Sequence, residues 1–213
     1  MSPNPASVDH LIGSALAASA DDLARALTSV DPADRRRLRA LDRWYAGFAG
    51  QVRARQDLVA EVVLPALAER GALAEHELEA VADQHVLVDE LVGHLGDAIG
   101  ILAFALGEPA AWHARATALA AELADALDDQ LAGERSQRHA AALDRDERRA
   151  VELEALRAAL DGQTRFALPW LMSRLDAGER QVVLDAAPPT TRLRWRSTRL
   201  PYDRQFAAAF ATN

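Results

Sequence analysis

The fold is decided by residues 41–71, LDRWYAGFAGQVRARQDLVAEVVLPALAERG. Apolar residues recur there at helical spacing, which predicts one long helix with a buried stripe. That stripe consists of Leu41, Trp44, Phe48, Val52, Val59 and Val63. Pro65 lies inside the pattern and lacks the N–H that an α-helix uses, so we expect a bend or a loss of regular hydrogen bonding near Glu61. Gly71 is a natural end for the helix.

Three further long helices are predicted around this one. We expect the helix that contains residues 41–70 to begin near residue 32, with Asp31 as its cap and Pro32 in its first turn. The segment after residue 133 is strongly charged, which leaves open whether the last of the four helices ends near Gly133 or continues to Asp161. The four predicted helices span residues 7–29, about 32–70, 74–106, and 109 onward.

Long helices with short connections are typical of an all-α, antiparallel four-helix bundle, and we assign residues 1–161 to it. Residues 162–213 contain a helical piece, then a break at Ala187-Pro-Pro189, then a basic last part. We expect them to form a helical C-terminal extension that packs on the bundle.

Composition excludes several classes of function. The chain has 213 residues and a formal net charge of -8, which argues against general nucleic-acid binding. Cysteine is absent, so disulfides, thiolate metal sites and cysteine nucleophiles are excluded. We find no apolar run long enough to cross a membrane and no signal-peptide pattern, and therefore expect a cytoplasmic protein without a membrane partner.

Polar side chains interrupt the apolar stripes of three predicted helices. Burying a charge or an amide without a partner costs several kcal/mol, so their recurrence predicts a shared polar layer inside the bundle. The alternative is that some of them lie at the edge of a stripe and reach water. These residues are Arg55 and Gln56 in the second helix, His85 and Asp89 in the third, and Gln130 and Glu134 in the fourth.

Several motifs resemble the hemerythrin-like, or HHE cation-binding, family. The clearest is Leu64-Pro-Ala-Leu67-Ala-Glu-Arg-Gly71, which looks like the end of the family's second helix. The stretch Asp83-Gln-His85-Val-Leu-Val-Asp89 is similar to the motif of the third helix. The tail, with Leu168-Pro-Trp170, Ala187-Pro-Pro189 and Tyr202, is similar to that of longer members.

The resemblance implies a di-iron bundle, but this chain departs from the family at most ligand positions. The family's histidine pair falls on Arg55 and Gln56, its Glu-Asp pair falls on Val59 and Ala60, and its last histidine falls on Gln130. Only His85 and Glu134 are retained, and an arginine at a ligand position opposes a dication. We therefore expect no cofactor.

The first functional hypothesis is a repurposed bundle that binds a small organic molecule and possibly converts it without metal. His85, polarised by Asp89 or Glu134, would act as general acid or base, and Arg55 would bind an anion. The remaining walls of this pocket would be Trp44, Phe48, Gln56, Val59 and Gln130.

Two alternatives stay open. One is a non-haem iron protein that handles oxygen or peroxide at a mononuclear site made of His85, Asp89, Glu134 and Glu61. The other is a non-catalytic scaffold that contacts a partner through the basic C-terminal segment, with Arg192, Arg194 and Arg196.

Overall fold

The computed structural model describes residues 8–72, 74–104, 108–136, 145–160 and 165–211. These residues form helices and connecting turns, with no strand among them. A short π-helical segment, Val59–Val63, lies directly between two of the α-helices. The α-helices are α1 (Val8–Ser29), α2 (Arg35–Leu58), α3 (Leu64–Glu69), α4 (Glu75–Ala103), α5 (Pro109–Ser136), α6 (Arg145–Leu160), α7 (Ala167–Arg174), α8 (Ala177–Ala186) and α9 (Thr190–Phe210).

Four long helices contribute most of the hydrophobic core. Helix α1 packs on α5, α5 on α4, α4 on α2, and α2 on α1. Hydrogen bonds link two of these helix pairs. Tyr45 of α2 donates to the Val92 carbonyl of α4 at 2.6 Å, and Gln84 of α4 donates to the Ala126 carbonyl of α5 at 3.4 Å. Helix α1 buries Ile12, Leu16, Leu23 and Leu27, which recur at helical spacing along one face.

The start of α2 differs from the prediction. Asp34, not Asp31, caps this helix, and its carboxylate accepts a hydrogen bond from the Arg37 amide at 3.0 Å. Asp31 instead accepts from the Ala33 amide at 2.8 Å, which holds Pro32 in a turn before the helix. Both aspartates suit a cap, and the turn around Pro32 places the second one at the first free amides.

Pro65 has the effect that the sequence predicts. The helix widens to π geometry over Val59–Val63, and the Leu64 amide bonds to the Val59 carbonyl five residues back. The widened turn accommodates a proline that has no N–H to donate and whose ring would clash with the carbonyl four residues before it. Gly71 follows with a φ of 62°, as expected for a helix end.

The C-terminal helices pack on α2 through aromatic side chains. The fully buried Trp44 ring stacks on Phe48 at 5.5 Å and meets Phe210 edge-on at 4.7 Å. The Trp44 indole also donates to the Tyr202 hydroxyl at 3.4 Å.

Helix α6 packs on α1 and α2 as well. A break at Ala187-Pro-Pro189 separates α8 from α9, as predicted. The division of the chain at residue 161 stays a prediction.

Two predicted features end outside the described residues. Helix α5 extends to Ser136 and α6 begins at Arg145, so the predicted alternatives for the fourth helix concern residues 137–144, which lie outside the described part. The predicted end of the third helix at residue 106 also lies outside it. In the part of the chain that is described, no helix is both long and apolar enough to span a bilayer.

Candidate functional site

A buried arginine lies at the centre of the candidate site. Arg55, near the end of α2, is only 6% exposed, and its Nε lies 3.4 Å from Oδ1 of Asp9 at the start of α1. An ionised side chain at this depth is stable only beside an opposite charge or good hydrogen-bond acceptors. The pair therefore fixes the start of α1 against α2.

Gly13 makes room for this arginine. A Cβ placed on Gly13 would lie 3.3 Å from both Cζ and one terminal nitrogen of Arg55, and 3.1 Å from the Leu131 side chain. A glycine inside a helix costs roughly 0.5–1 kcal/mol relative to alanine, so its presence in α1 has a local cause here. The guanidinium group fills the space that a side chain would take.

A small cavity borders Arg55. Its volume is about 10 Å³, which is room for about one water molecule. Helices α1, α2 and α6 enclose it, and its walls are Ile12, Gln51, Ala54, Arg55, Leu58, Ala155 and Ala159. In this conformation the cavity is much too small for an organic ligand.

Three neutral polar side chains each have one buried nitrogen or oxygen atom without a hydrogen-bond partner. They are Oε1 of Gln51, Nε2 of His85 and Nε2 of Gln130. Gln51 lies one turn before Arg55, and Gln130 directly precedes Leu131, which borders Gly13. A buried polar atom without a partner costs about 1–3 kcal/mol, so each of the three is unfavourable for stability.

The pKa of His85 depends on its burial and on the charge of Arg55. Burial lowers the pKa of His85, and the nearby Arg55 charge lowers it further, while Asp57 opposes the shift. The imidazole is therefore neutral at pH 7, with one nitrogen that donates and one that accepts. Gln56, next to Arg55, donates to the backbone carbonyl of His85 at 3.1 Å and holds α4 against α2.

Asp89 does not join His85, contrary to the predicted role. Its side chain is 62% exposed and its Oδ1 lies 3.4 Å from Nε of Arg53, in an ion pair at the surface between α4 and α2. Asp89 follows His85 by four residues, which rotate by about 40° more than one full helical turn. Asp89 therefore lies nearer the edge of the helix than His85 does. Glu61, the predicted fourth iron ligand, is exposed.

The other predicted pocket residues are buried but lie away from the cavity. Trp44 and Phe48 belong to the aromatic contacts with α7 and α9 and are not among the cavity walls. Val59 is buried at the start of the π-helical segment. Gln130 is 5% exposed, as predicted for the polar layer. The Glu134 side chain lies outside the described part of the chain.

Sequence reasoning missed several residues of the site. Gln51 precedes the stripe residue Val52 and lies one turn from Arg55, so helical spacing alone was enough to find it. Gly13 was a second signal, because it interrupts an otherwise regular helix. Asp9, Ala155 and Ala159 carried no comparable signal, since only the packing of α1 and α6 on α2 brings them to Arg55.

The described residues do not fit an iron centre. Among them, no group of three or more histidine, aspartate or glutamate side chains is arranged to hold a metal ion. At the positions where the resemblance implies ligands, the structure places the buried side chains of Arg55, Gln56, Val59 and Gln130.

The chain matches no family model, and it is not significantly similar to any curated protein or solved structure compared with it.

Proposed function

We propose that α1, α2, α4 and α5 form an antiparallel, hemerythrin-like four-helix bundle whose former metal region binds a small organic anion. The contacts of α1 with α5, α5 with α4, α4 with α2, and α2 with α1 close a ring of four helices, which supports the bundle. Buried polar side chains of α2 and α5, namely Gln51, Arg55, Gln56 and Gln130, support a polar layer in this ring, since four-helix bundles place cofactor and ligand sites in their cores.

One observation carries the proposal, namely the unpartnered buried atoms of Gln51, His85 and Gln130 on α2, α4 and α5, helices that pack together and include the buried, ion-paired Arg55. Together they cost several kcal/mol in a chain whose whole stability is about 5–15 kcal/mol. Leucine at these positions would remove the cost. Their retention is best explained by a ligand that supplies the missing hydrogen bonds.

The chemistry of these atoms restricts the ligand. The Arg55 guanidinium binds a carboxylate more strongly than a neutral group, through charge-assisted hydrogen bonds. The Gln130 amide nitrogen donates, whereas the Gln51 oxygen accepts and so needs a ligand hydroxyl or amine. A small hydroxy or amino carboxylate offers a partner of the right kind to Arg55, Gln130 and Gln51.

Entry of such a ligand requires movement of α6. The cavity of about 10 Å³ admits only water, and its outer wall on this side consists of Ala155 and Ala159. Among the described side chains of α6, only Leu156 and these two alanines are buried, so separating this helix from α2 exposes less apolar area than separating a helix with more large buried side chains. We infer that the ligand displaces this helix from α2 on binding.

If the bound molecule is converted, His85 is the residue suited to proton transfer. Its lowered pKa keeps the imidazole neutral, so the unprotonated nitrogen is able to accept a proton at neutral pH. Arg55 would then stabilise the negative charge left on the ligand. Asp89 has no part in this scheme, because it is paired with Arg53.

The test is a titration of the full chain with sodium glycolate, followed through the side-chain Nε–H resonance of Arg55 by NMR. Sodium acetate, which lacks the hydroxyl group, is the matched probe. We expect glycolate to shift this resonance at lower concentration than acetate. Asp9→Asn removes the internal carboxylate that competes for Arg55, and should tighten glycolate binding.

Two outcomes would overturn the proposal. The first is an Arg55 resonance that neither anion moves in the wild-type chain or in Asp9→Asn. The second is stoichiometric iron or manganese in protein expressed with both metals, measured by elemental mass spectrometry. That result would restore a metal site that includes side chains beyond the described ones, and would favour the oxygen or peroxide alternative.

A further inference from the structure

We infer that a second site, at the opposite end of α2 from Arg55, binds a compact anion with several phosphate groups. A surface groove of about 370 Å³ is lined there by four arginines, Arg35, Arg36, Arg39 and Arg43. We call it the arginine groove. It does not depend on the function proposed for the bundle interior.

The arginine groove concentrates positive charge on one face of α2. Arg35, Arg39 and Arg43 follow one another at a spacing of four, and Arg36 lies three positions before Arg39, so the four residues fall within about 12 Å of helix axis. Like charges at this spacing destabilise a helix, so the arrangement is unfavourable until an anion joins it.

The guanidinium groups are largely available. Arg36, Arg39 and Arg43 are exposed, and none of them forms an ion pair with any residue that the structure describes. Arg35 is half-buried and is fixed by donating to the Leu102 carbonyl. Arg43 also acts on Asp42: burial raises the pKa of Asp42, and the charge of Arg43 only partly opposes the rise.

Charge and size select the class of ligand. Guanidinium forks bind phosphate oxygens in pairs, which gives them an advantage over single-point cations. The chain as a whole carries a net charge of -8, which repels a long polyanion that extends beyond the groove. A compact polyphosphate gains the attraction of four arginines while it avoids most of the acidic surface.

Isothermal titration calorimetry of the full chain with sodium tripolyphosphate tests the inference. The variant Arg36→Gln/Arg39→Gln/Arg43→Gln should weaken binding at least about tenfold, since it removes three charge-assisted contacts. The control Arg192→Gln/Arg194→Gln/Arg196→Gln changes the net charge equally at exposed positions of α9, and should leave affinity within about twofold.

Three results would overturn the inference. They are equal weakening in both variants, no measurable binding of tripolyphosphate at millimolar concentration, and tighter binding of a short RNA duplex through the same three arginines. The last result would assign the groove to nucleic acid. Far-UV circular dichroism of both variants verifies that they are folded, as expected for substitutions at exposed positions.

Discussion

The ring of Phe166 lies against the backbone of Gly47. A Cβ placed on Gly47 would be 2.5 Å from two carbons of that ring, closer than such atoms approach in real proteins. Phe166 in turn stacks on Trp170 at 6.2 Å, so this contact joins the beginning of α7 to the middle of α2. Glycine at position 47 therefore allows the C-terminal helices to reach the aromatic core.

We expect Gly47→Ala to lower the free energy of unfolding by about 1–3 kcal/mol, because either the Phe166 ring or the backbone has to shift. Gly93→Ala is the matched control, since a Cβ there meets nothing within 4 Å. That change should raise stability by roughly 0.5–1 kcal/mol through helix propensity alone. Urea unfolding measures both. A stabilised Gly47→Ala would mean that Phe166 does not pack as described.

The elements that sequence predicted well are those with local causes. Pro65 and the Pro188-Pro189 pair act on their own backbone neighbours, and the structure confirms both predicted effects. The start of α2 was wrong by a few residues, because Asp31 and Asp34 are equally able to cap and the turn between them decides. Local propensity does not separate two such candidates.

The site was only partly predictable, for a different reason. Arg55 and Gln130 interrupt apolar stripes, and the structure confirms that both side chains are buried. Whether such a side chain meets a partner depends on helix rotation and on distant segments, which periodicity does not report. Asp89 lies one turn from His85 yet pairs with Arg53, while Asp9 reaches Arg55 from 46 positions away.

Because of Asp22, the free energy of unfolding should decrease in acid. Burial acts to raise the pKa of Asp22, but the contacts with Arg174 and Arg25 outweigh it and the pKa is lowered. A carboxylate with a lowered pKa stabilises the fold above its unfolded pKa of about 3.9, and this contribution is lost as pH falls through the folded value.

We therefore expect Asp22→Asn to reduce stability at neutral pH by about 1–2 kcal/mol, with a difference from wild type that shrinks as the solution is acidified. Asp185→Asn is the control, because Asp185 is 63% exposed and its ion pair with Arg192 is solvated. Its effect should stay within about 0.5 kcal/mol. A constant difference between Asp22→Asn and wild type across the acid range would contradict the role assigned to the ion pairs.

His85 should contribute a second pH dependence with its own window. The folded pKa of His85 is lowered, chiefly by burial and then by Arg55, so the unfolded chain binds a proton first as pH falls. The free energy of unfolding should then decrease as the pH falls from about 6.5 to the folded pKa of His85. Below that pKa, His85 should cause no further decrease.

His85→Gln should remove this slope, whereas His94→Gln, an exposed position on the same helix, should keep it. Urea midpoints measured at several pH values around 5 to 7 make the comparison. Identical slopes in the wild type and His85→Gln would place the histidine in a more solvated position than the structure gives it.

Substitution of Gln51 or of Gln56 by leucine should have opposite effects on stability, and only the change at Gln51 is expected to weaken ligand binding. The Gln51 oxygen has no hydrogen-bond partner, whereas the Gln56 amide donates to the His85 carbonyl. Gln51→Leu should therefore stabilise the chain by about 1 kcal/mol while it weakens the glycolate response of Arg55, and Gln56→Leu should destabilise it by a similar amount. Thermal unfolding and the Arg55 NMR titration are measured on the same samples. If Gln51→Leu is the more destabilising change, the amide oxygen holds a structural water in the adjacent cavity, and the case for a ligand beside Arg55 loses its principal support.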